Sequence, residues 1–300
     1  MVKRSVMYLV FALVLLGFIP PGLAQQAPAQ AQPVRQTVPS ISIQNVKGNI
    51  FQVKGGDGAN TGFFIGEKEV LIIDAKMTED SASRMISEIR KFTPLPIGHI
   101  IITHSDRDHV NGLVGFPKGL TVISHENTRK HMDKAFSSTR ERQYLTNITF
   151  SDRLSIYSSG KNIDLIYFGP AHTDGDIVVF FPGEKVAFIG DLIFVGRDQL
   201  IHRHKYGSSF GLVRVLRSIL NLDAEVFVNG HGDPVTRKEI QDHIRSIEDK
   251  QSGVKTLMKE GKNLDEIKKI YNVDDKPAQP GATRWPSMVE IIYLELNEQK

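Results

Sequence analysis

The sequence predicts an α/β fold, a sandwich of two β-sheets with helices on the outside. Three observations predict it. Short apolar runs fall in two groups along the chain, segments of helical periodicity separate and follow them, and about 260 residues remain beyond the N-terminal leader and the linker after it, enough for one domain with a two-layered core.

In chain order, residues 42–74 read as strands broken by Lys47-Gly48-Asn49, Gly55-Gly56-Asp57-Gly58 and Gly66-Glu67-Lys68, residue types that supply turns. Over 79–92, Met85, Ile86 and Ile89 recur at helical spacing. A strand follows over 99–103, a short helix starts near His109, and a strand over 120–124 leads into a polar helix over 126–136. The second group comprises strands over 163–168, 177–181, 186–189 and 225–228. Between the last two lies a helix over 210–220 with Phe210, Val213, Leu216 and Leu220 on one face. Thr236 and Glu239 form a capping-box pattern that opens a helix carrying Ile240, Ile244 and Ile247, and Ser287 with Glu290 opens the last one. The catalytic domain is expected over 41–250, with 251–300 as a helical extension packed on it and Trp285 as a packing anchor.

The first 24 residues have the three parts of a secretory signal peptide. Lys3 and Arg4 precede an apolar run from Val6 to Phe18, and Gly22-Leu23-Ala24 gives a small-x-small cleavage site before Gln25. Residues 25–40, rich in Gln, Ala and Pro, read as a flexible linker. The expected location is periplasmic or secreted, with no stable membrane insertion once the signal is cleaved, because the apolar run is shorter than a membrane span. The absence of cysteine excludes disulfides and a thiol nucleophile. Loss of Lys3 and Arg4 lowers the formal charge from +3 to +1, which gives no electrostatic case for nucleic acid. The expected partner is a small-molecule substrate, and no oligomeric state is set.

Chemistry concentrates where the strands end. His104-Ser-Asp106-Arg-Asp108-His109 follows Ile100-Ile101-Ile102, His172 follows the strand over 163–168, Asp191 follows Val186-Ala187-Phe188-Ile189-Gly190, and His231 follows Val226-Phe227-Val228-Asn229-Gly230. A lone histidine after a strand is usually a turn residue. Recurrence of donor types after four separate strands points instead to seven metal donors on one rim, enough for two ions. Imidazole suits zinc, copper, iron and nickel, whereas a larger carboxylate share moves preference toward manganese or iron. Three carboxylates with four neutral imidazoles bring two divalent ions and one hydroxide close to neutrality, a reasonable state for a partly buried centre.

On these residues the chain resembles the metallo-β-lactamase superfamily over about residues 42–250. Its motif there is H-x-H-x-D-H followed by a later His, Asp and His. The resemblance implies a four-layered αββα sandwich of two mixed sheets. It also implies that His104, Asp106 and His172 hold one divalent ion, that Asp108, His109 and His231 hold another, and that Asp191 bridges both. The ions are expected to be zinc, with iron or manganese as alternatives. Asp191 is similar to the bridging carboxylate of the glyoxalase-like and lactonase-like branches. Asp106 departs from the motif, which has His there, and resembles the flavodiiron branch. The implied activity is hydrolysis of an ester, thioester, lactone or β-lactam bond by a metal-bridging hydroxide, with Asp108 as ligand and proton acceptor. A diiron redox protein and a β-lactamase proper are the alternatives. The resemblance also makes Asp74 a candidate to orient a ligand, while Thr173 and Asp176 are expected to fix the turn after His172. Lys205, Arg203 and Tyr206 are candidates to reach over the metals, and the loop pair His202 and His204 is weak evidence for a further ion.

Overall fold

Alternation along the strands builds three cores, one between the sheets and one under the helices on each side, from apolar runs that look uniform in sequence. A computed structural model describes residues 38–158, 160–273 and 284–298, so the signal peptide and all of the linker except residues 38–40 lie outside the described residues. The first sheet contains β1 (Ser42–Lys47), β2 (Ile50–Lys54), β3 (Thr61–Ile65), β4 (Val70–Ile73), β5 (Ile97–Ile101), β6 (Thr121–His125) and β7 (Ile148–Phe150), hydrogen-bonded in that order. Pairing is antiparallel from β1 to β4 and parallel from β4 to β7. The second sheet orders β12 (Val226–Asn229), β11 (Val186–Gly190), β10 (Ile177–Phe181), β9 (Lys161–Tyr167) and β8 (Arg153–Ser158), with only β11 and β12 parallel.

Because successive side chains of a strand face opposite ways, Leu71 and Ile73 of β4 enter the core between the sheets while Val70 and Ile72 face the helices outside. The same split places Ile177, Val179 and Phe181 of β10 between the sheets and Val178 and Phe180 outside. Both faces are covered, which explains the nearly continuous apolar composition of these strands.

Outside the first sheet lie α1 (Glu79–Ile89), α2 (Arg107–Val110), α3 (Glu126–Ala135) and α4 (Thr139–Arg142). The second sheet is covered by α5 (Ser209–Ile219), α6 (Arg237–Lys259), α7 (Leu264–Ile270) and α8 (Met288–Glu298), whose buried Leu212, Ile244, Ile267 and Ile291 share one core with Phe180 and Phe227. The result is the four-layered αββα sandwich of two mixed sheets.

Two details differ from the sequence reading. Helix α6 opens at the expected capping box but passes through the boundary at residue 250, because Ile240, Ile244, Ile247, Gln251 and Val254 form one buried stripe at helical spacing. At α8, Ser287 accepts from Glu290 N, but the Glu290 carboxylate turns to Arg284 and Lys268 instead of completing a capping box.

Candidate metal centre

Each donor is delivered by the end of a rigid strand. His104 lies three residues past β5, and Asp108 and His109 sit in the single turn of α2 that follows. Beyond the second sheet's strands, Asp191 immediately follows β11, His231 follows β12 after Gly230, and His172 follows β9 across Phe168-Gly169-Pro170-Ala171. The seven donors gather in two groups, His104, Asp106, His172 and Asp191 in one and Asp108, His109 and His231 in the other. Within each group the donor atoms lie within 4.8 Å of one another. Asp191 reaches both, with Oδ1 3.2 Å from His109 Nε2 and Oδ2 3.2 Å from His231 Nε2 and 3.8 Å from His104 Nε2.

Hydrogen bonding fixes the histidine tautomers and tests whether a metal fits. His172 Nδ1 is 2.8 Å from the Leu200 carbonyl oxygen, which can only accept, so Nδ1 carries the proton. His109 Nδ1 donates to Asp74 Oδ2 at 2.8 Å. Thr103 Oγ1 donates to the same oxygen and accepts from His104 Nδ1 at 3.1 Å. Each Nε2 therefore presents a bare lone pair to the centre.

Those lone pairs face other acceptors. His172 Nε2 lies 3.1 Å from Asp106 Oδ2, while His104 Nε2, His109 Nε2 and Asp191 Oδ1 are buried with no hydrogen-bond partner. Acceptor facing acceptor in a buried site requires a cation between them, so the donors fit divalent metal. Without metal, protons must fill the role. Burial opposes charging His172, but the hydrogen bond and charge of Asp106 outweigh it and raise the imidazole to about 9. His231 rises to about 9 against burial through Asp108 and Asp191, and His109 is held well above its ordinary value against burial by the charges of Asp191 and Asp74.

Glycines make room for this packing at two positions. A Cβ on Gly230 would collide with Asp191 Oδ1, and one on Gly58, at φ 110°, would lie 2.5 Å from Met77 N and 2.8 Å from Asp108 O. The glycine-rich stretch thus braces the backbone of the donors, as Ala59 N donates to Asp108 O and Asn60 N to Gly230 O. Fully buried Lys76 holds it from beneath through Gly55 O and Ala59 O.

Asp74 stands where the resemblance placed it. Its Oδ1 accepts from Thr103 N, and its Oδ2 from Thr103 Oγ1 and His109 Nδ1, each at 2.8 Å. Its backbone is left-handed at φ 62°, which Asn also tolerates, so Asp74→Asn removes the charge without straining the chain. That variant is expected to weaken metal binding by roughly 10–100-fold, read by chelator competition. Unchanged affinity would show that His109 needs no charged partner. Thr173 N and Oγ1 donate to Asp176 at 2.7 and 2.6 Å, the local turn that was expected.

The loop after Asp191 departs most from its sequence reading. His202 is buried with Nε2 2.7 Å from Asp106 Oδ2, and Lys205 Nζ donates to Asp106 Oδ1 at 2.7 Å. Both oxygens of the unusual Asp106 are thereby held, and Lys205 is committed to it. Arg203 turns away to Glu298, and Tyr206 is 66% exposed. Trp285 is not a packing anchor. It is 48% exposed, packs edge-on against His202 with ring centres 4.7 Å apart, and lines a cavity of about 630 Å³ over the donors.

Comparison with known proteins agrees with this geometry. The family model described as the metallo-beta-lactamase superfamily matches residues 55–231. The chain is 26% identical over 268 residues to the 2,4-dinitroanisole O-demethylase subunit alpha of Nocardioides sp. (strain JS1661), an alignment covering 85% of this chain and 78% of that one. It is 26% identical over 171 residues to a metallo-beta-lactamase type 2 of Elizabethkingia meningoseptica, covering 55% and 67%. In structure it is similar to a metallo-beta-lactamase from Pontibacter korlensis, with a TM-score of 0.60 at 15% identity, over 70% of this chain and 99% of that one.

Proposed function

The chain belongs to the metallo-beta-lactamase superfamily of metal-dependent hydrolases, and from that premise we propose that it is an exported dinuclear hydrolase cleaving an ester, thioester, lactone or β-lactam bond. The observation that carries the reading is Asp191, whose carboxylate faces His109 and His231 of one donor group and His104 of the other. When bound, two divalent ions supply a Lewis acid for a carbonyl oxygen and lower the pKa of water to about 7. The chain's part is to hold those charges in place and to handle the proton. Asp108 suits that second task, since its side chain remains about a quarter exposed while Asp191 is buried, and it lines the cavity. Asp108→Ala is expected to lower turnover by roughly 10²–10⁴-fold with the helical circular dichroism intact. Full activity in that variant would sink the assignment.

Zinc is the proposed metal, since four imidazoles suit it, and iron or manganese is the alternative favoured by Asp106. Export rests on the leader, and N-terminal sequencing of the secreted protein should begin at Gln25. The deciding experiment is elemental analysis followed by a screen of nitrocefin, lactones and thioesters. Dinitroanisole joins the screen because a relative is named for its O-demethylation. Two zinc ions with turnover support the hydrolase. Two iron ions with no hydrolysis of any member would move the reading to redox chemistry.

A further inference from the structure

The walls of the cavity beyond the donors carry two features that donor chemistry does not require. One is an aromatic arc. Trp285 stacks on His204 with ring centres 5.9 Å apart and 24° between planes, and meets His202 edge-on. His202 packs on His172, His172 on Phe194, and Phe194 stacks on His231 at 5.4 Å and 25°. Of these rings Trp285 and His204 are exposed at the cavity, His202 and Phe194 line it nearly buried, and His172 is buried behind them.

The other feature is charge of one sign. The carboxylates lining the cavity are Asp106, Asp108 and Asp191, all of them candidate donors. Arg107, Lys134 and Arg197 also line it, and among the described residues none of the three has a carboxylate partner. The Arg197 guanidinium instead lies over the Phe194 ring, 4.1 Å from its centre. With the donor carboxylates balanced by divalent ions, these cations leave the cavity positive, which attracts anions.

We propose that the substrate is a flat aromatic molecule carrying an anionic group, its ring laid against Trp285 and His204 at the exposed end of the arc and its anion met by Arg197 and Lys134. This rests on the hydrolase reading for the reaction, and it deepens that reading by naming the substrate class. A cavity of about 630 Å³ accommodates a molecule of one or two rings with its leaving group. The arc supplies stacking, which is indifferent to charge. The cations supply selection for anions, which is indifferent to rings, and together they reject molecules offering only one of the two.

The sole tryptophan of the sequence lies in the arc, so its emission reports occupancy independently of turnover. The metal-loaded protein is titrated with 2-naphthoate, 2-naphthamide and cyclohexanecarboxylate, and calorimetry with the same three probes provides a second readout. Naphthoate is expected to bind at least about tenfold more tightly than either comparator. The double variant Arg197→Ala, Lys134→Ala should raise the naphthoate Kd about tenfold and leave that of the amide unchanged. Cyclohexanecarboxylate controls for a carboxylate that merely reaches the metals. Equal affinity for the three probes, or no saturable binding, overturns the proposal. Turnover separates the two readings. Naphthoate selectivity with no hydrolysis in the substrate screen would remove the hydrolase reading and support the substrate class, whereas hydrolysis without selectivity would do the reverse.

Discussion

Asp191→Ala is expected to remove both metals together and to lower turnover by at least ~10³-fold, about 4 kcal/mol of barrier. Six of the seven donors stand in one group or the other, but Asp191 faces His109 and His231 on one side and His104 on the other. Its removal takes a negative charge from both positions at once. It also leaves the buried His109 and His104 lone pairs without the carboxylate that faces them, and each group with a single carboxylate, Asp106 or Asp108, to balance a divalent ion. Asp191→Asn should lie between, since the amide keeps one oxygen acceptor and loses the charge. The measurements are metal per chain by elemental analysis and turnover on the same sample, with circular dichroism as the folding control. Two metals per chain and full turnover in the alanine variant would show that the two groups do not depend on a shared carboxylate.

What could be read from sequence followed from local pattern. His104, Asp106, Asp108, His109, His172, Asp191 and His231 were visible because each follows an apolar run that forms a strand, and the structure brings all seven together. Asp74 also ends a strand, but it became a candidate only through the resemblance. His202 was not visible, because the loop that carries it has no periodicity and its burial depends on packing between β11 and α5. An H-x-H pair shortly after a strand-end Asp was the signal, and only the three-dimensional position of Asp106 gives it meaning. Trp285 was misread for a related reason. A tryptophan between Arg284 and Pro286 says nothing of which surface it meets, and its place at the cavity follows from how α8 packs on α5 and α6. Past residue 250, α6 continues because its buried stripe continues, a pattern the sequence holds but the resemblance does not cover.

Stripping the metals is expected to make the protein take up protons and to make its stability newly dependent on pH. His172 and His231 sit at about 9 without metal, and His109 is held well above its ordinary value, so chelation at pH 7.5 should draw about two to three protons per chain. A lightly buffered solution with indicator measures this, against a blank of chelator and free metal. The sign for stability follows from the same groups. A histidine whose pKa is raised on folding contributes stability that is complete below about 6.5 and is lost as pH rises through its folded value. The metal-free protein should therefore lose stability between about pH 6.5 and 9. For fully buried His172 alone the loss is about 3 kcal/mol, or roughly 5–10 °C in Tm. Lys76 acts in the opposite sense. Burial lowers it to about 8, against the charge of Asp74, so the unfolded chain holds the extra proton above that pH and stability from this group rises from about 8 toward 10.5. Lys76 is present with and without metal, so the difference between the two melting profiles isolates the histidines. Parallel profiles from pH 6.5 to 9 would mean that these imidazoles do not exchange protons for metal, and the candidate centre would lose its physical basis.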